Sequence, residues 1–218
     1  MKNYVHTSDL HQAVHAVVQG KVIIYPTETL YALGCSIRSR LAGAAIMDLK
    51  KRPQGKPLPI IIGSMDQLEM VVKKVDPAVY SLSQSFWPGP LSIVLSARKD
   101  TILQVQDDSG WTCVRWTSHP VAQKLCLESG MPLVGTSANV AGAEPAAHPR
   151  DLDPRLVHRV DCLLSDPPYP RGGLPSTIVR VVGERQIVVL RAGAIGIQRL
   201  QAAGWDIGDE GTESGKKS

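Results

Sequence analysis

The chain has 218 residues, of which 43% are hydrophobic, 20% charged and 5% aromatic. These proportions are ordinary for a globular protein that buries its apolar surface without disulfide or metal staples, and so few aromatic residues argue against a stacking platform for single-stranded nucleic acid. The formal net charge of +4 suits an anionic substrate or transient contact with RNA, but it falls short of the long basic stripe of a dedicated nucleic-acid-binding protein.

The cysteines and the N-terminus indicate the compartment. The four cysteines are far apart, without the C-x-x-C spacing of a zinc ribbon or a redox motif, so we expect free thiols in a reduced environment. The N-terminus lacks the apolar core of a signal peptide, and no apolar run approaches the length that spans a membrane. These features predict a cytoplasmic protein without membrane contact.

The first part of the chain predicts helices and short apolar strands in alternation. Ser8 can cap a helix that runs to about residue 19, and a buried strand over residues 22–25 then leads into a polar turn. A helix over residues 41–51 has to end there, because Pro53 lacks the backbone N–H that would continue it.

The rest of the chain continues this alternation and then changes it. A strand over residues 58–62 precedes a capping-box pattern at residues 64–67, which predicts the start of a short helix. The stretch 141–149 is rich in Ala and Pro and predicts a surface loop, and after about residue 160 the strict β–α–β order breaks down. The further helices are predicted over residues 77–86 and 119–129, and the further strands over residues 91–96, 112–116, 132–135, 162–164, 177–182 and 186–191.

This order of elements predicts an α/β fold with α+β character, in which helices flank a twisted, mixed sheet. We expect one domain over residues 1–205, since no linker interrupts that range. Residues 206–218 are polar, rich in Gly and poor in apolar residues, so we expect them to form a disordered tail.

A cluster of cations follows the second predicted helix. Lys50, Lys51, Arg52 and Lys56 provide four positive charges, and no acidic side chain lies within residues 49–65. Arginine offers a planar fork and lysine a mobile point charge, so a helix end followed by a cationic loop can clamp a polyphosphate. Taken alone, such a run is more often a solvated basic turn.

A second polar segment, GTSAN over residues 135–139, directly follows a predicted strand. Ligands of α/β sheets bind beyond the carboxyl ends of strands, where small residues let backbone N–H groups approach a phosphate. The hydroxyl of Ser137 and the amide of Asn139 can add hydrogen bonds. By itself the pattern is somewhat more typical of a helix N-cap or an Asx-turn.

Three further features have an open interpretation. The segment YPTETLY, residues 25–31, places hydroxyls and a carboxylate at a strand end, where they can hold a small polar molecule or simply cap a helix. Arg115 lies in an apolar strand and needs an anionic partner, either a substrate carboxylate or an internal Asp. His11 and His15 have i, i+4 spacing but no third ligand nearby, so no zinc site is predicted.

Neither a P-loop nor a G-x-S-x-G elbow occurs, and we predict no catalytic nucleophile.

Seven segments, taken in order, resemble the YrdC-like threonylcarbamoyl-AMP synthases, and the resemblance covers about residues 10–195. The K-x-R pattern of that family is met by Lys50 and Arg52, and its S-x-N pattern by Ser137 and Asn139. The resemblance implies a YrdC/RibB-like fold of the short, single-domain type. The seven segments are YPTETLYALG, LKKRPQGKPLPIII, WPGPLSIVL, VRWTSHP, PLVGTSANVAG, STIV and VLRAG.

The resemblance also implies a reaction. Members of the family join L-threonine, bicarbonate and ATP into threonylcarbamoyl-adenylate and release pyrophosphate, so this chain would be a nucleotidyltransferase that serves the N6-threonylcarbamoyladenosine modification of tRNA. Mg²⁺ is expected with ATP rather than on protein side chains. A transferase complex that acts on tRNA would be the downstream partner, and weak binding of tRNA is expected.

Residue roles follow from the matching positions. Lys50 and Arg52 would stabilise charge during the reaction, and no residue would act as a nucleophile. The residues implied to bind ATP are Lys50, Arg52, Lys56, Ser137, Asn139 and Arg191. The residues implied to bind threonine are Thr29, Arg115 and Ser176, with Arg115 pairing its carboxylate.

The chain departs from the family pattern at three points. Ala32 replaces a frequent Gly, Ile61 stands where the longer members have His, and we expect no counterpart of the C-terminal domain of those members. Two alternatives stay open: a sibling with the same fold that acts as a hydrolase, and an RNA-binding protein in which the cations of residues 50–56 contact RNA phosphates. A third, the carbamoyl-phosphate-handling domain of hydrogenase maturation, normally lies in a much longer chain with zinc fingers.

Overall fold

The computed structural model describes residues 5–7, 9–53, 55–98 and 103–209. The strands of this part are β1 (Val5–Thr7), β2 (Ile23–Pro26), β3 (Tyr31–Gly34), β4 (Ile60–Ile62), β5 (Leu91–Ser96), β6 (Trp111–Trp116), β7 (Leu133–Val134), β8 (Thr136–Ser137), β9 (Cys162–Leu164), β10 (Thr177–Val181), β11 (Gln186–Arg191) and β12 (Asp206–Gly208). The helices are α1 (Leu10–Val18), α2 (Arg40–Leu49), α3 (Pro77–Phe86), α4 (Pro120–Glu128), α5 (Pro154–Val157) and α6 (Ile197–Ala202). None of these helices has both the length and the apolar character needed to cross a lipid bilayer.

The strands form two mixed sheets. One has five strands in the order β1-β9-β2-β3-β8, and the other has seven in the order β12-β11-β10-β5-β6-β4-β7. Parallel pairs such as β2 with β9 and β4 with β6 occur beside antiparallel pairs such as β2 with β3 and β5 with β6. The predicted class, α/β with helices flanking mixed sheet, is confirmed, but the strands divide between two sheets. An apolar run predicts a strand without specifying the strand that pairs with it.

Two strands near the centre of the fold are buried on both faces. On β4, Ile60 and Ile62 belong to a large core cluster that also contains Ile24 of β2. Ile61 and Ile23, which point to the opposite faces of the same strands, belong to a second cluster with residues of α1 and α4. Burial on both faces explains why these strands are continuous apolar runs rather than alternating ones.

Two predicted helix starts need correction. The side chain of Asp9 caps α1 by accepting a hydrogen bond from the His11 N–H at 2.8 Å, whereas Ser8 lies outside the described residues. The capping box predicted at residues 64–67 does not form: a 3₁₀ helix over Asp66–Met70 begins there without a side-chain cap. Gln67 instead accepts from the Gly63 N–H and donates to the Cys126 carbonyl, because a buried amide has to find partners wherever the fold brings them.

The C-terminal boundary also differs from the expectation of a tail that begins at residue 206. In the structure Asp206–Gly208 pairs in parallel with β11. Trp205 is 1% exposed, and its burial brings the chain onto the edge of the seven-stranded sheet at this point. Residues 210–218, the remainder of the predicted tail, lie outside the described residues.

Gly135 is packed too closely for a larger side chain. Its N–H donates to the Pro59 carbonyl at 2.9 Å, and a Cβ at this position would overlap the buried side chain of Ile61, which would have to shift. We therefore expect Gly135→Ala to lower the free energy of unfolding by about 1–3 kcal/mol, the usual cost of overpacking. Urea unfolding followed by fluorescence measures this difference.

The matched control for this prediction is Gly196→Ala. No atom lies within 4 Å of the Cβ that this substitution would add. Its unfolding free energy is expected to stay within about 0.5 kcal/mol of the wild type. A wild-type urea midpoint for Gly135→Ala would contradict the prediction.

Candidate active site

A cavity of about 660 Å³ has walls from both sheets. Tyr31 and Ser137 line it from the five-stranded sheet, and Arg115 and Ile178 line it from the seven-stranded sheet. The structure brings to this one cavity every residue for which the sequence predicted a binding role. These residues are Thr29, Lys50, Arg52, Lys56, Arg115, Ser137, Asn139, Ser176 and Arg191.

Side-chain alternation along the seven-stranded sheet builds one wall of the cavity. Val94 on β5 lies directly opposite Cys113 on β6, and both line the cavity together with Arg115, two residues further along β6. Ile93, which precedes Val94 on β5, and Val114, which lies between Cys113 and Arg115 on β6, are fully buried in the core. Because successive side chains of a strand point to opposite faces, the same strands supply both the hydrophobic core and the binding wall.

Lys50 connects the end of α2 to the segment that contains Ser137 and Asn139. It is the C-cap residue of α2, and its Nζ donates to the Ser137 carbonyl at 2.6 Å, to the Asn139 carbonyl at 2.9 Å and to Asn139 Oδ1 at 3.0 Å. An ammonium group has three N–H bonds, so these acceptors use all of them. The sequence predicted Lys50 at the end of a helix and this segment just beyond a strand, and the structure joins the two by direct hydrogen bonds.

The segment with the S-x-N pattern is itself held by hydrogen bonds. Ser137 Oγ donates to Asn139 Oδ1 at 2.6 Å, and Asn139 Nδ2 donates to the carbonyls of Ala143 at 2.6 Å and Val140 at 3.2 Å. The Asn side chain therefore bonds nearby backbone, as in the turn that the sequence left as an alternative. The segment is therefore a turn and also part of the cavity wall, because Ser137 and Asn139 both line the cavity.

The two charged groups of the K-x-R pattern are partly desolvated. Burial, and secondly the positive charge of Arg52, lowers the pKa of Lys50 to about 8. Burial also lowers the pKa of Arg52, whose Nε and Nη2 donate to the carbonyls of Lys56 and Pro57 at 2.9 and 2.8 Å. Arg52 thereby holds the bend that carries Lys56 toward the cavity.

Arg115 has an internal partner that the sequence analysis missed. Its Nη1 lies 2.9 Å from Glu28 Oε1, and both side chains are less than a tenth exposed. The same nitrogen is 3.4 Å from Thr29 Oγ1, and the other carboxylate oxygen of Glu28 accepts from Thr117 Oγ1 at 2.6 Å. We expected a substrate carboxylate or an internal Asp; the internal carboxylate belongs to Glu28, and its presence in the YPTETLY turn was the available signal.

Ser176 and Arg191 form a second polar pair on the cavity. The guanidinium of Arg191 donates through Nη2 to the Ser176 carbonyl at 2.7 Å and to Ser176 Oγ at 3.0 Å. Ser92, which the sequence analysis did not single out, lies 2.9 Å from Ser176 through its own hydroxyl. Strand β5 therefore contributes a hydroxyl that fixes the position of Ser176.

The charged side chains that line the cavity are all cationic. Among the described residues that line it there are six cationic side chains and no Asp or Glu. Arg115 is paired with Glu28, which lies outside the lining, but the other five cations repel one another when the cavity holds only water, and an anionic ligand relieves that repulsion. The cavity is therefore suited to a polyanion. The six cations are Lys50, Lys51, Arg52, Lys56, Arg115 and Arg191.

Comparison with known proteins gives a consistent family. The model of the Sua5/YciO/YrdC family, described as telomere recombination, matches residues 15–193. Threonylcarbamoyl-AMP synthase of Xanthomonas axonopodis pv. citri (strain 306) is 38% identical over 157 residues, which are 71% of this chain and 84% of that protein. Threonylcarbamoyl-AMP synthase of Xylella fastidiosa (strain M12) is 35% identical over 170 residues, which are 77% of this chain and 89% of that protein.

Solved structures of similar fold agree with the sequence relatives. P. abyssi Sua5 complexed with L-threonine superposes with a TM-score of 0.82 at 26% identity, over 95% of this chain and 62% of that chain. E. coli YciO superposes with a TM-score of 0.77 at 26% identity, over 92% of this chain and all of that chain. This chain thus spans less than two thirds of the P. abyssi protein and most of the two synthases.

The bonds of Lys50 predict a local effect of its removal. In Lys50→Met the segment 137–139 loses three charge-assisted hydrogen bonds, each worth about 1.5–3 kcal/mol at most. Met also avoids the cost of burying a charge, so the free energy of unfolding of the whole protein should change little. The segment itself should open more often. We expect the amide of Ala138, which donates to the Tyr31 carbonyl, to exchange hydrogen at least tenfold faster.

Hydrogen–deuterium exchange by mass spectrometry measures this effect, and Lys51→Met is the matched control. Lys51 is adjacent in sequence but exposed, and no side-chain hydrogen bond of Lys51 to a described residue is found. Exchange of the 137–139 segment should therefore stay at the wild-type rate in the control. Equal exchange rates in the two variants would show that Lys50 does not hold this segment.

Proposed function

The chain belongs to the Sua5/YciO/YrdC family, and we propose that it is an L-threonylcarbamoyladenylate synthase, which makes threonylcarbamoyl-AMP and pyrophosphate from L-threonine, bicarbonate and ATP. The observation that carries the proposal is the single cavity whose described lining includes six cations and no carboxylate. A triphosphate and an amino-acid carboxylate together match such a charge distribution. The named relatives at 35–38% identity support the same activity.

The triphosphate of ATP would be bound at the junction of α2 and the 137–139 segment. The oxygens that accept from Lys50 are uncharged, so its positive charge remains available to a phosphate. Arg52 and Lys56 add charge from the following bend, and Arg191 adds it from β11. The Ser137 hydroxyl and the Asn139 amide supply hydrogen bonds that a phosphate or a ribose can use.

Threonine would be bound beside this nucleotide site. Arg115 would pair with its carboxylate, with Thr29 3.4 Å from the guanidinium as a neighbouring hydroxyl. Ser176 would add a second hydroxyl, whose position is fixed by Ser92 and Arg191.

The reaction needs orientation and charge stabilisation rather than a protein nucleophile. The threonine amine and bicarbonate form a carbamate with loss of water, and a carbamate oxygen then attacks the α-phosphorus while pyrophosphate leaves with the bonding electrons. Lys50 and Arg52 would stabilise the charge that develops on the phosphate oxygens. Burial raises the pKa of the Cys113 thiol on the cavity wall to about 11, so this thiol stays protonated and is a poor nucleophile at neutral pH.

The Mg²⁺ ion that we expect in the reaction would enter the site bound to ATP. The described residues contain no group of three or more His, Cys, Asp or Glu side chains that could hold a metal ion, so a Mg²⁺ held mainly by protein does not fit this site. Mg²⁺ bound to ATP would neutralise part of the phosphate charge.

The product defines the partners that we propose. Threonylcarbamoyl-AMP is a mixed anhydride that reacts with amines and water, so an enzyme that transfers the threonylcarbamoyl group has to receive it. We infer that this partner is the tRNA threonylcarbamoyl transferase complex, and that the chain acts in the cytoplasm with only weak affinity of its own for tRNA. A protein that only binds RNA would need its cations on an open surface, whereas these cations line a cavity in which one arginine is already paired with Glu28.

Arg52 provides the direct test of the nucleotide site. We expect pyrophosphate release by the wild type to require both threonine and bicarbonate, and Arg52→Ala to lower its rate by about a hundredfold, because one preorganised charge near a reacting phosphate is worth that much. ATP should also raise the melting temperature of the wild type more than that of Arg52→Ala. Arg38→Ala, at an exposed position outside the cavity lining, is the matched control and should behave as the wild type.

Different results would favour different functions. Turnover of ATP that ignores threonine would support the hydrolase alternative. Salt-sensitive binding of tRNA without any binding of ATP would support the RNA-binding alternative. An unchanged response to ATP in Arg52→Ala would remove Arg52 from the nucleotide site.

The lowered pKa of Lys50 predicts a pH dependence of ATP binding. Below about pH 8 the ammonium is charged and attracts phosphate, and above that pH it loses its proton and its charge. The dissociation constant of ATP should therefore rise about three- to tenfold between pH 7 and pH 9, as the loss of one positive charge close to the phosphates would produce. Isothermal titration calorimetry across this range measures the change.

Two variants show whether Lys50 is the group that titrates. Lys50→Arg keeps its charge at every pH of the range, so its ATP affinity should vary little. Lys50→Met lacks the charge throughout and should bind ATP weakly at both pH values. The same rise in all three proteins would assign the titration to another group.

A further inference from the structure

A buried carboxylate lies directly behind the arginine of the cavity wall. We propose that Glu28 is a positioning residue: it holds the guanidinium of Arg115 in one orientation, so that the remaining N–H groups of Arg115 face the cavity and donate hydrogen bonds to the carboxylate of the substrate. The inference rests on the proposed function, because it assigns the threonine carboxylate to Arg115.

Both oxygens of the Glu28 carboxylate are engaged by residues from one stretch of chain. Oε1 accepts from Arg115 Nη1 at 2.9 Å, and Oε2 accepts from Thr117 Oγ1 at 2.6 Å. Arg115 and Thr117 are two residues apart, so the carboxylate bridges neighbouring side chains at the end of β6. Thr117 is fixed in turn, because its hydroxyl accepts from the His119 N–H at 3.1 Å and its own N–H donates to the Ile62 carbonyl at 3.2 Å.

The geometry leaves the other edge of the guanidinium for a ligand. Glu28 and Thr29 both contact Nη1 of Arg115, and neither Nε nor Nη2 has a partner among the described residues. Arg115 lines the main cavity, whereas Glu28 lines a neighbouring polar cavity of about 390 Å³, and Thr29 lines both. Since the guanidinium is a rigid plane, a bond at one nitrogen sets the direction of the others.

Charge alone would predict the opposite role for Glu28. A carboxylate 2.9 Å from Arg115 reduces the attraction between that arginine and a second carboxylate, so its removal should tighten the binding of threonine if charge dominated. Positioning acts the other way, because an arginine that is already ordered does not lose side-chain freedom when the substrate binds. The sign of the change in threonine affinity therefore separates the two roles.

The test compares substitutions that remove charge, shape or support. Glu28→Gln keeps the shape and one acceptor, and we expect it to raise the KM for threonine about tenfold; Glu28→Ala removes both acceptors and should raise it about a hundredfold. Thr117→Val leaves the ion pair but frees one carboxylate oxygen, so a rise of a few fold is expected. The dissociation constant of ATP should stay within about twofold in all three variants, since their effect is confined to Arg115.

Gln67→Leu is the matched control for lost stability. Gln67 is also a buried polar side chain that bridges two elements, but its partners are Gly63 and Cys126, outside the cavity lining. This substitution should lower the melting temperature without changing the KM for threonine. A raised KM in the control would show that general destabilisation, rather than the loss of positioning, causes the effect.

Direct binding of threonine, measured by calorimetry in the presence of a non-hydrolysable ATP analogue, separates the two proposals. If the wild type does not bind threonine, the proposed function fails and this inference fails with it. If the wild type binds threonine and Glu28→Gln binds it equally well or more tightly, the inference alone is overturned. Should the Glu28 variants not fold, Thr117→Val provides the decision, and unchanged threonine affinity in that variant would overturn the inference.

Discussion

The shape of the binding cavity depends on how one partly buried ammonium group is bonded. Lys50 ends α2 and donates to three oxygens of Ser137 and Asn139, so a helix end and a turn from a different part of the chain are held by one side chain. These oxygens are uncharged, and they orient the ammonium without cancelling its charge. The lowered pKa of Lys50 reflects the cost of keeping this charge away from water, which an anionic ligand would offset.

Arg115, on another wall of the same cavity, is stabilised in a different way. Its partner Glu28 lies 2.9 Å away in an ion pair, so the arginine is already compensated before any ligand arrives. The cavity therefore has one region with uncompensated positive charge and one in which the arginine is already paired. This difference matches the two anions of the proposed reaction: a triphosphate with several charges, and an amino-acid carboxylate with a single charge that requires direction more than attraction.

Much of the fold could be predicted because the relevant patterns are local. Helix α3 and strands β5, β9 and β11 have the predicted bounds: the strands are mainly apolar runs, and the helix starts at Pro77 and ends before Trp87-Pro88. Apart from the two helix starts corrected above, the errors concern elements whose identity depends on contacts. No strand was predicted over β3, which is defined by its pairing with β2, and the residues after Trp205 were expected to form a tail but pair with β11.

The sequence by itself determined which groups are available and where each lies on its element: cations at a helix end that Pro53 terminates, a Ser and an Asn just beyond a strand, and an arginine within an apolar strand. The tertiary structure alone decided which of these groups meet. Lys50 bonds to residues 87 and 89 positions away, and Arg115 pairs with a glutamate 87 positions before it. Contacts at such separations follow from the pairing and packing of strands in two sheets, and a strand's own residues do not specify its neighbour.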